Sequence, residues 1–503
     1  MQLQATVRKN QYQDSVRLMQ ISRQAAELPG VRKVLALLGT DSNKKVLQDL
    51  GLLDETVSAA TPNDLVICIE AENDDAVQAA LKEVDDRLKT VAVGQAAEEK
   101  PRSLEEAVDR LPGVNFAMIS LPGQFAKLDV TAALESGLNV MLFSDNISVR
   151  DEAELKQLAV NKGLLLMGPD CGTAIVNGVA LALANVVRRG DIGLAAASGT
   201  GIQEVTCLID RFGGGVSHAI GVGGRDLRKE VGGIMMCQAI RTLAADGMTK
   251  RLILLSKPGA PEVMARVLGE AKASGLEVVA CLLGGDNDGP EYAEMTLVGT
   301  LEEAAFAAMG QQIPELEISD ALRARVKKLA PSRTCLRGLY SGGTLCYETL
   351  FILKDHIDVE SNVALRKDLK LEYPARGAAH CCVDLGEDEF TQGRPHPIID
   401  LGLRLERLAE DMADQAVKVV LLDLVLGYGA HPNPAMQLAE AVRQNRKELA
   451  DGGPIIMAHV CGTEADPQVL GEQERILQQC GVFLYPTNAQ AARAALAVVR
   501  GDI

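Results

Sequence analysis

Two stretches of the chain place small residues and hydroxyl groups directly after an apolar strand, a pattern suited to binding an anion. The first is Ser198-Gly199-Thr200-Gly201, and the second is Ser341-Gly342-Gly343-Thr344. Small residues let backbone N–H groups approach an oxyanion, a helix N-terminus adds roughly half a positive charge, and the hydroxyls donate further hydrogen bonds. Because Ser and Thr also favour helix caps, a plain cap is the alternative. Their recurrence favours phosphate or anion binding.

A second group of residues could contact a substrate. Gly223, Gly224 and Arg225 follow another apolar strand, and a guanidinium there could hold a carboxylate or phosphate through two parallel hydrogen bonds. Lys257 ends a later strand and offers another positive charge. The alternative for the glycine-rich stretch is a flexible connection with solvated charges.

Three residues are candidates for catalysis. Arg394 and His396 belong to Gly393-Arg394-Pro395-His396-Pro397, where the prolines restrict the backbone and orient the imidazole for proton transfer or a phosphate contact. A lone histidine is more often structural, which is the alternative. Asp423 ends an apolar strand, and in a doubly wound sheet its carboxylate would lie near the ligand edge.

The elements that must position these groups occur twice. Thr200 and Thr344, which close the two hydroxyl-bearing turns, are 144 residues apart. Each turn is followed by a helix, a strand with an acidic glycine-rich loop, two apolar strands and a closing strand and helix. The apolar strands are Leu252–Ser256 with Val278–Leu283, and Val419–Leu424 with Ile455–Val460. This internal duplication predicts two helix N-termini facing one anion.

Strands and helices alternate along the whole chain, which predicts α/β layers with mainly parallel sheets. Four domains are expected. Residues 1–100 form a small α/β module with a linker at Ala92–Pro101, and its second helix is predicted at Ser42–Leu50. Residues 101–188 form a Rossmann-like domain. Residues 189–330 and 331–503, called the first and second copy below, form flavodoxin-like domains.

The composition limits which kinds of molecule the chain is expected to bind. The chain has 503 residues and a net charge of -17, which disfavours nucleic acid, so an anionic small molecule needs a local positive site. No apolar stretch approaches the ~20 residues of a membrane helix. The eleven cysteines include no Cys-x-x-Cys pair and indicate reduced core thiols in a cytoplasmic protein.

An acidic stretch could be read as a metal site. Asp384, Glu387, Asp388 and Glu389 could supply oxygen ligands, but an exposed acidic loop is the interpretation adopted, and no metal is predicted.

Several motifs resemble known families. Ala117 to Thr173 resembles the CoA-binding domain of the succinyl-CoA synthetase alpha subunit, and Ser198-Gly199-Thr200 resembles the start of the phosphate-binding helix of that subunit. Nearly the whole chain resembles the FdrA family. The motifs that carry this second resemblance are Gln13-Asp14-Ser15-Val16, Met141-Leu142-Phe143-Ser144-Asp145-Asn146, Gly168-Pro169-Asp170-Cys171-Gly172-Thr173 and the Arg394–His396 segment.

The resemblance implies a CoA-binding-type domain at 101–188 followed by two ligase-CoA-type domains. The chain also departs from the synthetase alpha subunit in several features. The alpha subunit carries a phosphorylated histidine where this chain has Gly284–Pro290, which contains none. The glycine-rich turn that opens the CoA site has no clear counterpart, and no ATP-grasp domain is present. The chain is therefore not expected to make acyl-CoA by itself, and CoA stays possible but doubtful.

The resemblance implies an activity. FdrA-like proteins are associated with an oxamate carbamoyltransferase that converts oxalurate and phosphate to oxamate and carbamoyl phosphate in allantoin and purine breakdown. The chain is then a transferase subunit that works with partner proteins in an oligomer, with Arg394 and the helix N-termini holding phosphate and His396 moving a proton. The alternatives are a subunit of an NDP-forming acyl-CoA synthetase and a non-catalytic anion-binding scaffold.

Overall fold

The computed structural model describes residues 2–11, 13, 15–26, 28–40, 43–44, 47–48, 52, 54–89, 101–284, 294–391, 394–447, 449 and 452–503. These form two compact units. The first comprises Met1–Pro101 and Asp388–Pro395, and the second comprises Arg102–Glu387 and His396–Ile503. The predicted fold class is confirmed, since the structure is mixed α/β with mainly parallel sheets.

The sheet of the first unit is antiparallel, with the strand order β1-β3-β2. Its strands are β1 (Gln2–Arg8), β2 (Val31–Leu38) and β3 (Leu65–Ala71), and its helices are α1 (Ser15–Ala26), α2 (Glu55–Ser58), α3 (Asp74–Lys89) and the short Asp388–Thr391. Strand β3 inserts between β1 and β2, which is why strand–helix alternation did not give a parallel sheet here. The linker predicted at Ala92–Pro101 and most of the helix predicted at Ser42–Leu50 lie outside the described residues.

The second unit begins with a three-stranded parallel sheet in the order β4-β5-β6. Its strands are β4 (Phe116–Ile119), β5 (Asn139–Leu142) and β6 (Leu166–Met167), and its helices are α4 (Leu104–Arg110), α5 (Gly123–Glu135) and α6 (Val149–Asn161). This is the sheet of the predicted Rossmann-like domain.

A seven-stranded sheet follows, in the order β13-β12-β11-β9-β10-β7-β8. Its strands are β7 (Thr173–Val176), β8 (Val179–Ala182), β9 (Arg189–Ala196), β10 (Val216–Gly221), β11 (Arg251–Ser256), β12 (Glu277–Leu282) and β13 (Thr296–Val298). Its helices are α7 (Gly199–Arg211), α8 (Ile234–Ala245), α9 (Pro261–Ala273) and α10 (Leu301–Met309). The hairpin β7-β8 pairs with β10, although the predicted boundary at 188 groups it with the preceding domain.

The last sheet has five parallel strands in the order β15-β14-β16-β17-β18. They are β14 (Cys335–Tyr340), β15 (Cys381–Asp384), β16 (Val417–Val425), β17 (Ile455–Cys461) and β18 (Phe483–Tyr485). The helices are α11 (Asp320–Val326), α12 (Gly343–Leu353), α13 (Gly402–Ala413), α14 (Pro434–Lys447), α15 (Leu470–Gln479) and α16 (Asn488–Arg500), with a 3-10 turn at Lys367–Leu369.

The two copies share one hydrophobic core. Leu194 and Ile253 of the first copy and Leu345, Leu421 and Met457 of the second belong to the same buried cluster. The division of this unit into separate domains stays a prediction. Within the described ranges, no helix combines the length and apolar character needed to cross a membrane.

Candidate anion site where two helices begin

The first hydroxyl-bearing turn connects β9 to α7. Ser198 is the N-cap of α7, and its Oγ accepts a 3.0 Å hydrogen bond from the amide of Gly201. A Cβ at Gly201 would lie 2.7 Å from Leu255 Cδ2, so the helix can sit this close to β11 only with glycine there. Residues 198–200 are half-buried and reach solvent.

The second turn lies directly against the first. Ser198 Oγ is 2.5 Å from Thr344 Oγ1, and the amide of Thr344 donates to Thr200 Oγ1 over 3.3 Å. Helices α7 and α12 therefore begin side by side with three hydroxyl groups between them. The structure brings the two predicted turns together, and anion binding there stays a prediction.

The backbone amides of the second turn donate hydrogen bonds to a carboxylate of the protein itself. The Ser341 amide donates to Asp423 Oδ1 at 2.9 Å and Oδ2 at 3.1 Å, and the Gly342 amide donates to Oδ2 at 2.8 Å. Ser341 Oγ lies 3.0 Å from Oδ2. Arg404, which is 1% exposed, donates to Asp423 Oδ1 at 2.6 Å and to the Leu339 carbonyl at 2.9 Å. Asp423 thus anchors the turn, and its predicted catalytic role stays a prediction.

The strand registers show which positions of the two copies correspond. Leu194 pairs with Ala219 and Ile253, whereas Gly338, 144 residues later, pairs with Cys382 and Leu421. Two residues further along each strand, Gly221 of the first copy corresponds to Asp384 of the second, and Leu255 corresponds to Asp423. Lys257 lies two residues beyond Leu255, so it is not the register counterpart of Asp423.

The polar groups left for a ligand come mainly from the first copy. Within the described part of the chain, the amides of Gly199, Thr200 and Gly343 donate to no protein acceptor. Lys257 Nζ lies 4.9 Å from the ring centroid of Tyr347 on α12, and its charge also acts on the pKa of the buried Asp384. An ammonium group therefore lies near the first turns of α12.

Two titratable side chains flank the start of α12. Asp384 Oδ1 accepts a 2.8 Å hydrogen bond from the Gly386 amide, and Oδ2 would lie 2.4 Å from a Cβ at Gly343. Burial, and next the charge of Glu387, raise the pKa of Asp384 to about 7. His396 Nε2 would lie 2.7 Å from a Cβ at Gly386, and burial lowers the pKa of His396 to about 4. Its imidazole is therefore neutral at neutral pH.

The glycine-rich stretch after β10 packs against the preceding sheet. A Cβ at Gly223 would lie 2.4 Å from the carbonyl oxygen of Pro169, and Gly223 has a φ of 84°. Arg225 Nε lies 2.9 Å from Glu152 Oε2. Gly224 is exposed. The structure thus gives Arg225 an internal partner, and substrate binding by these three residues stays a prediction.

Glu152 also belongs to a fully buried charge cluster. Lys156 Nζ donates to Glu152 Oε1 and to Asp226 Oδ1, each at 2.8 Å, and to the Val222 carbonyl at 2.9 Å. Asp226 in turn accepts the amide of Met236 in the first turn of α8 at 2.9 Å. These bonds join α6 to the seven-stranded sheet.

Arg394 falls in the first unit and is exposed, and the preceding Gly393 lies outside the described residues. Its predicted role in holding phosphate stays a prediction.

Sequence reasoning missed two carboxylates that link the copies. Glu204 on α7 bonds His459 Nε2 at 2.7 Å and accepts the amide of Asn488, at the start of α16, at 3.4 Å. Glu348 on α12 accepts the amide of Leu301, at the start of α10, at 2.6 Å. Each copy therefore caps the closing helix of the other. The signal was present, since both glutamates recur at the same 144-residue separation.

The two crossed carboxylates differ in their partners. Burial opposes ionisation of His459, but the charge and hydrogen bond of Glu204 outweigh it, so the pKa of His459 is raised. Among the described residues, the first copy offers Glu348 no histidine at the equivalent place, because the position of His459 is taken there by Cys281 in the strand register. Burial raises the pKa of Glu348 to about 8.

The carboxyl edge of the β4-β5-β6 sheet is where the resemblance places CoA. A Cβ at Gly123 would lie 1.9 Å from the Asp145 carbonyl oxygen, so this loop crossing requires glycine. Ser144 Oγ is buried and has no hydrogen-bond partner in the described ranges, and Leu121 and Phe125 are exposed. A free hydroxyl beside apolar surface fits the arm of CoA that carries the thiol.

The phosphates of CoA fit this edge less well. Lys127 Nζ is already paired with Asp151, and with Glu154 at 2.7 Å. The residues at this edge therefore supply little positive charge for a pyrophosphate.

Two family models match the chain. Residues 1–120 match the model described as AllF, heavy metal-associated domain, and residues 339–498 match the model described as CoA-ligase. A heavy metal does not fit the first range. Its single cysteine, Cys68, is buried in β3, and no group of three His, Cys, Asp or Glu side chains among the described residues could hold an ion.

The chain is similar to several known proteins. YahF of Escherichia coli (strain K12) is 41% identical over 494 residues, 96% of each chain. Succinate–CoA ligase [ADP-forming] subunit alpha 2 of Archaeoglobus fulgidus is 26% identical over 225 residues, 44% of this chain and 75% of the relative. ADP-forming sulfoacetate-CoA ligase subunit SauD of Bilophila wadsworthia is 27% identical over 196 residues, which cover 37% of this chain and 64% of the relative.

Among solved structures, PH0766 from Pyrococcus horikoshii OT3 matches with a TM-score of 0.32 at 17% identity, covering 78% of this chain and 85% of that one. The chain is thus built on a CoA-ligase-like scaffold related to acyl-CoA synthetases. Because the identity to YahF extends over almost all of both sequences, the chain belongs to the FdrA-like family that includes YahF.

Proposed function

We propose that the chain is a subunit of an NDP-forming acyl-CoA ligase and carries its exchange of an acyl group between phosphate and a thiol. The observation that supports this most is the meeting of α7 and α12, where unpaired amides and three hydroxyls lie together and Lys257 lies against Tyr347 of α12. The CoA-ligase match at 339–498 and the succinate–CoA and sulfoacetate-CoA ligase relatives support the same class.

The phosphate of an acyl phosphate is held at this place. The amides of Gly199, Thr200 and Gly343 donate to its oxygens, and Lys257 balances its charge. CoA, when bound, supplies the thiol that accepts the acyl group. The carbon–sulfur bond forms as the carbon–oxygen bond to phosphate breaks, and the fixed donors stabilise the charge that collects on the leaving phosphate.

A partner must supply the nucleotide-dependent step. The sequence has no histidine between His218 and His356, so Gly284–Pro290, most of which lies outside the described residues, cannot carry a phosphohistidine. We assign formation of the acyl phosphate to another subunit, which agrees with the expectation of partner proteins.

Carbamoyl transfer, the activity first implied by the family resemblance, finds no support among these relatives. These relatives are subunits of a succinate–CoA ligase and of a sulfoacetate-CoA ligase. Neither transfer of a carbamoyl group nor a place in purine breakdown is therefore retained as the main proposal, and carbamoyl phosphate enters the test as one acyl phosphate among several.

The test uses the full chain with acetyl, succinyl and carbamoyl phosphate, each with CoA, and follows thioester and released phosphate. We expect at least one acyl phosphate to give both products in equal amounts, and Thr200→Val to lower the rate about tenfold or more.

The matched control is Thr242→Val on α8, whose hydroxyl bonds only the Gln238 carbonyl of its own helix. It should leave the rate unchanged. No thioester from any acyl phosphate, with or without a co-purified partner, would reject the proposal. Carbamoyl phosphate formed from oxalurate and phosphate would instead favour carbamoyl transfer.

A further inference from the structure

One buried carboxyl group beside the anion site has no part in the exchange described above. Asp384 is 2% exposed, and its Oδ1 accepts the Gly386 amide. Its Oδ2 has no hydrogen-bond partner among the residues that the structure describes. Oδ2 faces the start of α12, where a Cβ at Gly343 would lie 2.4 Å away. The first copy has Gly221 at this register position, so the carboxyl group belongs to the second copy alone.

The charge of this group decides how it acts on an anion. A carboxylate beside the Gly343 amide would repel a phosphate, whereas a carboxylic acid would donate a hydrogen bond to it. A buried carboxylate without a paired cation is also costly, and Asp423 next to it already holds the buried Arg404. The surroundings therefore favour the protonated form.

We propose that Asp384 holds a proton in the binding-competent site and donates a hydrogen bond from Oδ2 to an oxygen of the bound oxyanion. This rests on the proposed function, because the oxyanion is the phosphate or acyl phosphate of that exchange. Loss of the proton turns a donor into a repelling charge, so the site loses affinity for anions as the pH rises.

The groups that face Asp384 set the pH of this change. They are Glu387 in the same loop, Lys257 at the end of β11, Asp423 in β16, Cys346 in α12, and His396. Burial and then Glu387 raise the pKa of Asp384, Lys257 lowers it and Asp423 raises it, for a result of about 7. His396 is already neutral there. The change therefore falls in the neutral range.

Sulfate is a suitable probe, because its charge stays constant from about pH 5 to about pH 9, whereas ordinary side chains titrate within that range. Calorimetric titration of the full chain should show affinity for sulfate falling about tenfold between about pH 6 and about pH 8.5. The variant Asp384→Asn keeps an acceptor for the Gly386 amide and should bind sulfate with little dependence on pH.

Two further variants separate this role from a structural one. Asp411→Asn removes a half-buried carboxyl, with a pKa raised to about 6, that lies 3.5 Å from Arg337, and it should keep the wild-type profile. Glu387→Gln removes a charge that raises the pKa of Asp384, so the midpoint should move to lower pH. A wild-type pH profile in Asp384→Asn would overturn the proposal, as would loss of sulfate binding at every pH.

Infrared difference spectra of wild type minus Asp384→Asn, recorded without ligand, test the proton directly. A carboxylic-acid band present at about pH 6 and absent at about pH 8.5 is expected. If this band appears but wild type binds no sulfate, the proposed function fails while the protonation holds. If sulfate binds independently of pH and no band appears, the role of Asp384 fails alone.

Discussion

In the first copy, Leu255 and Gly221 lie beneath the glycine turn, whereas the second copy has Asp423 and Asp384 at the same register positions. The first turn is capped by Ser198 and reaches solvent. The second turn has Gly342 at the capping position and no side-chain cap, and its amides go to Asp423.

Two turns at equivalent positions therefore differ in chemistry. The first turn has apolar support and leaves the Gly199 and Thr200 amides without a protein acceptor among the described residues, while the Ser341 and Gly342 amides of the second turn donate to Asp423. The proposed anion site is consequently one-sided, with the first copy providing most of the donors. Substitutions at equivalent positions should give unequal effects.

The largest effect is expected from Arg404→Met. This change leaves Asp423 buried without its cation, which typically costs about 3–5 kcal/mol of the free energy of unfolding. Urea unfolding followed by circular dichroism measures it. The control is Arg366→Met, which removes an ion-paired arginine whose side chain is 52% exposed, and solvent screening should make its loss of stability much smaller. Equal losses in the two variants would mean that Asp423 does not anchor the second turn.

The stability of the protein should depend on pH through Glu348. The folded-state pKa of Glu348, about 8, exceeds its ordinary value of 4.5, so its stabilising contribution is complete below the unfolded pKa and is lost as pH rises through about 8. The loss is on the order of 1 kcal/mol per pH unit in that window.

Thermal melts of Glu348→Gln from about pH 6 to about pH 9 check this. The variant should be less stable at the acid end, because an amide nitrogen replaces an acceptor of Asn488, yet show a flatter slope. The slope that remains comes partly from His459, whose raised pKa also gives stability that is lost with rising pH. An unchanged slope would show that Glu348 is already ionised.

The equivalent glycines should respond differently to a methyl group. In Gly343→Ala the new Cβ would lie 2.4 Å from Asp384 Oδ2, and the strain should cost about 1–3 kcal/mol. In Gly199→Ala the nearest atom is Thr173 Oγ1 at 3.4 Å, so the change should stay within about 0.5 kcal/mol. Chemical unfolding of both proteins measures the difference. Equal tolerance would place Asp384 away from α12.

A smaller stability effect than that of Gly343→Ala is expected from Ser198→Ala, which removes the cap of α7 and should cost about 1 kcal/mol. Ser319 caps α11 in the same way, through the Leu322 amide at 3.2 Å, so Ser319→Ala is the matched control. Both variants should lose similar stability, but only Ser198→Ala should also weaken sulfate binding in calorimetric titration. Equal sulfate affinity in the two would remove Ser198 from the anion site.

The sequence was sufficient for the repeat and for the positions of its turns, because both depend on local patterns. Apolar runs marked β11, β12, β16 and β17. The hairpin β7-β8 was missed, although Asn177-Gly178, with φ of 52° and 79°, is a turn sequence typical of two-residue hairpins.

The contents of the site could not be predicted in the same way. Whether Asp423 faces a ligand or an amide pair depends on strand register and on Arg404, a buried arginine contributed by an amphipathic helix. Asp423 and Lys257 were each placed at the end of an apolar strand, but only the backbone pairing shows that their positions differ by two residues. Asp384 was read as part of an exposed acidic loop, but it is buried, and the exposed members of that stretch are Glu387, Asp388 and Glu389.

The crossed carboxylates of Glu204 and Glu348 have a consequence for how such a chain can be divided. A backbone cut in the segment joining α10 to α11 would leave one fragment ending in α10 and the other ending in α16. In each of these helices a first-turn amide donates a hydrogen bond to a glutamate of the other fragment. The fragments should stay associated after limited proteolysis and, if expressed from separate genes, should be soluble only together. Fission into two obligate subunits is thus a small evolutionary step from this architecture, and loss of either half is a large one.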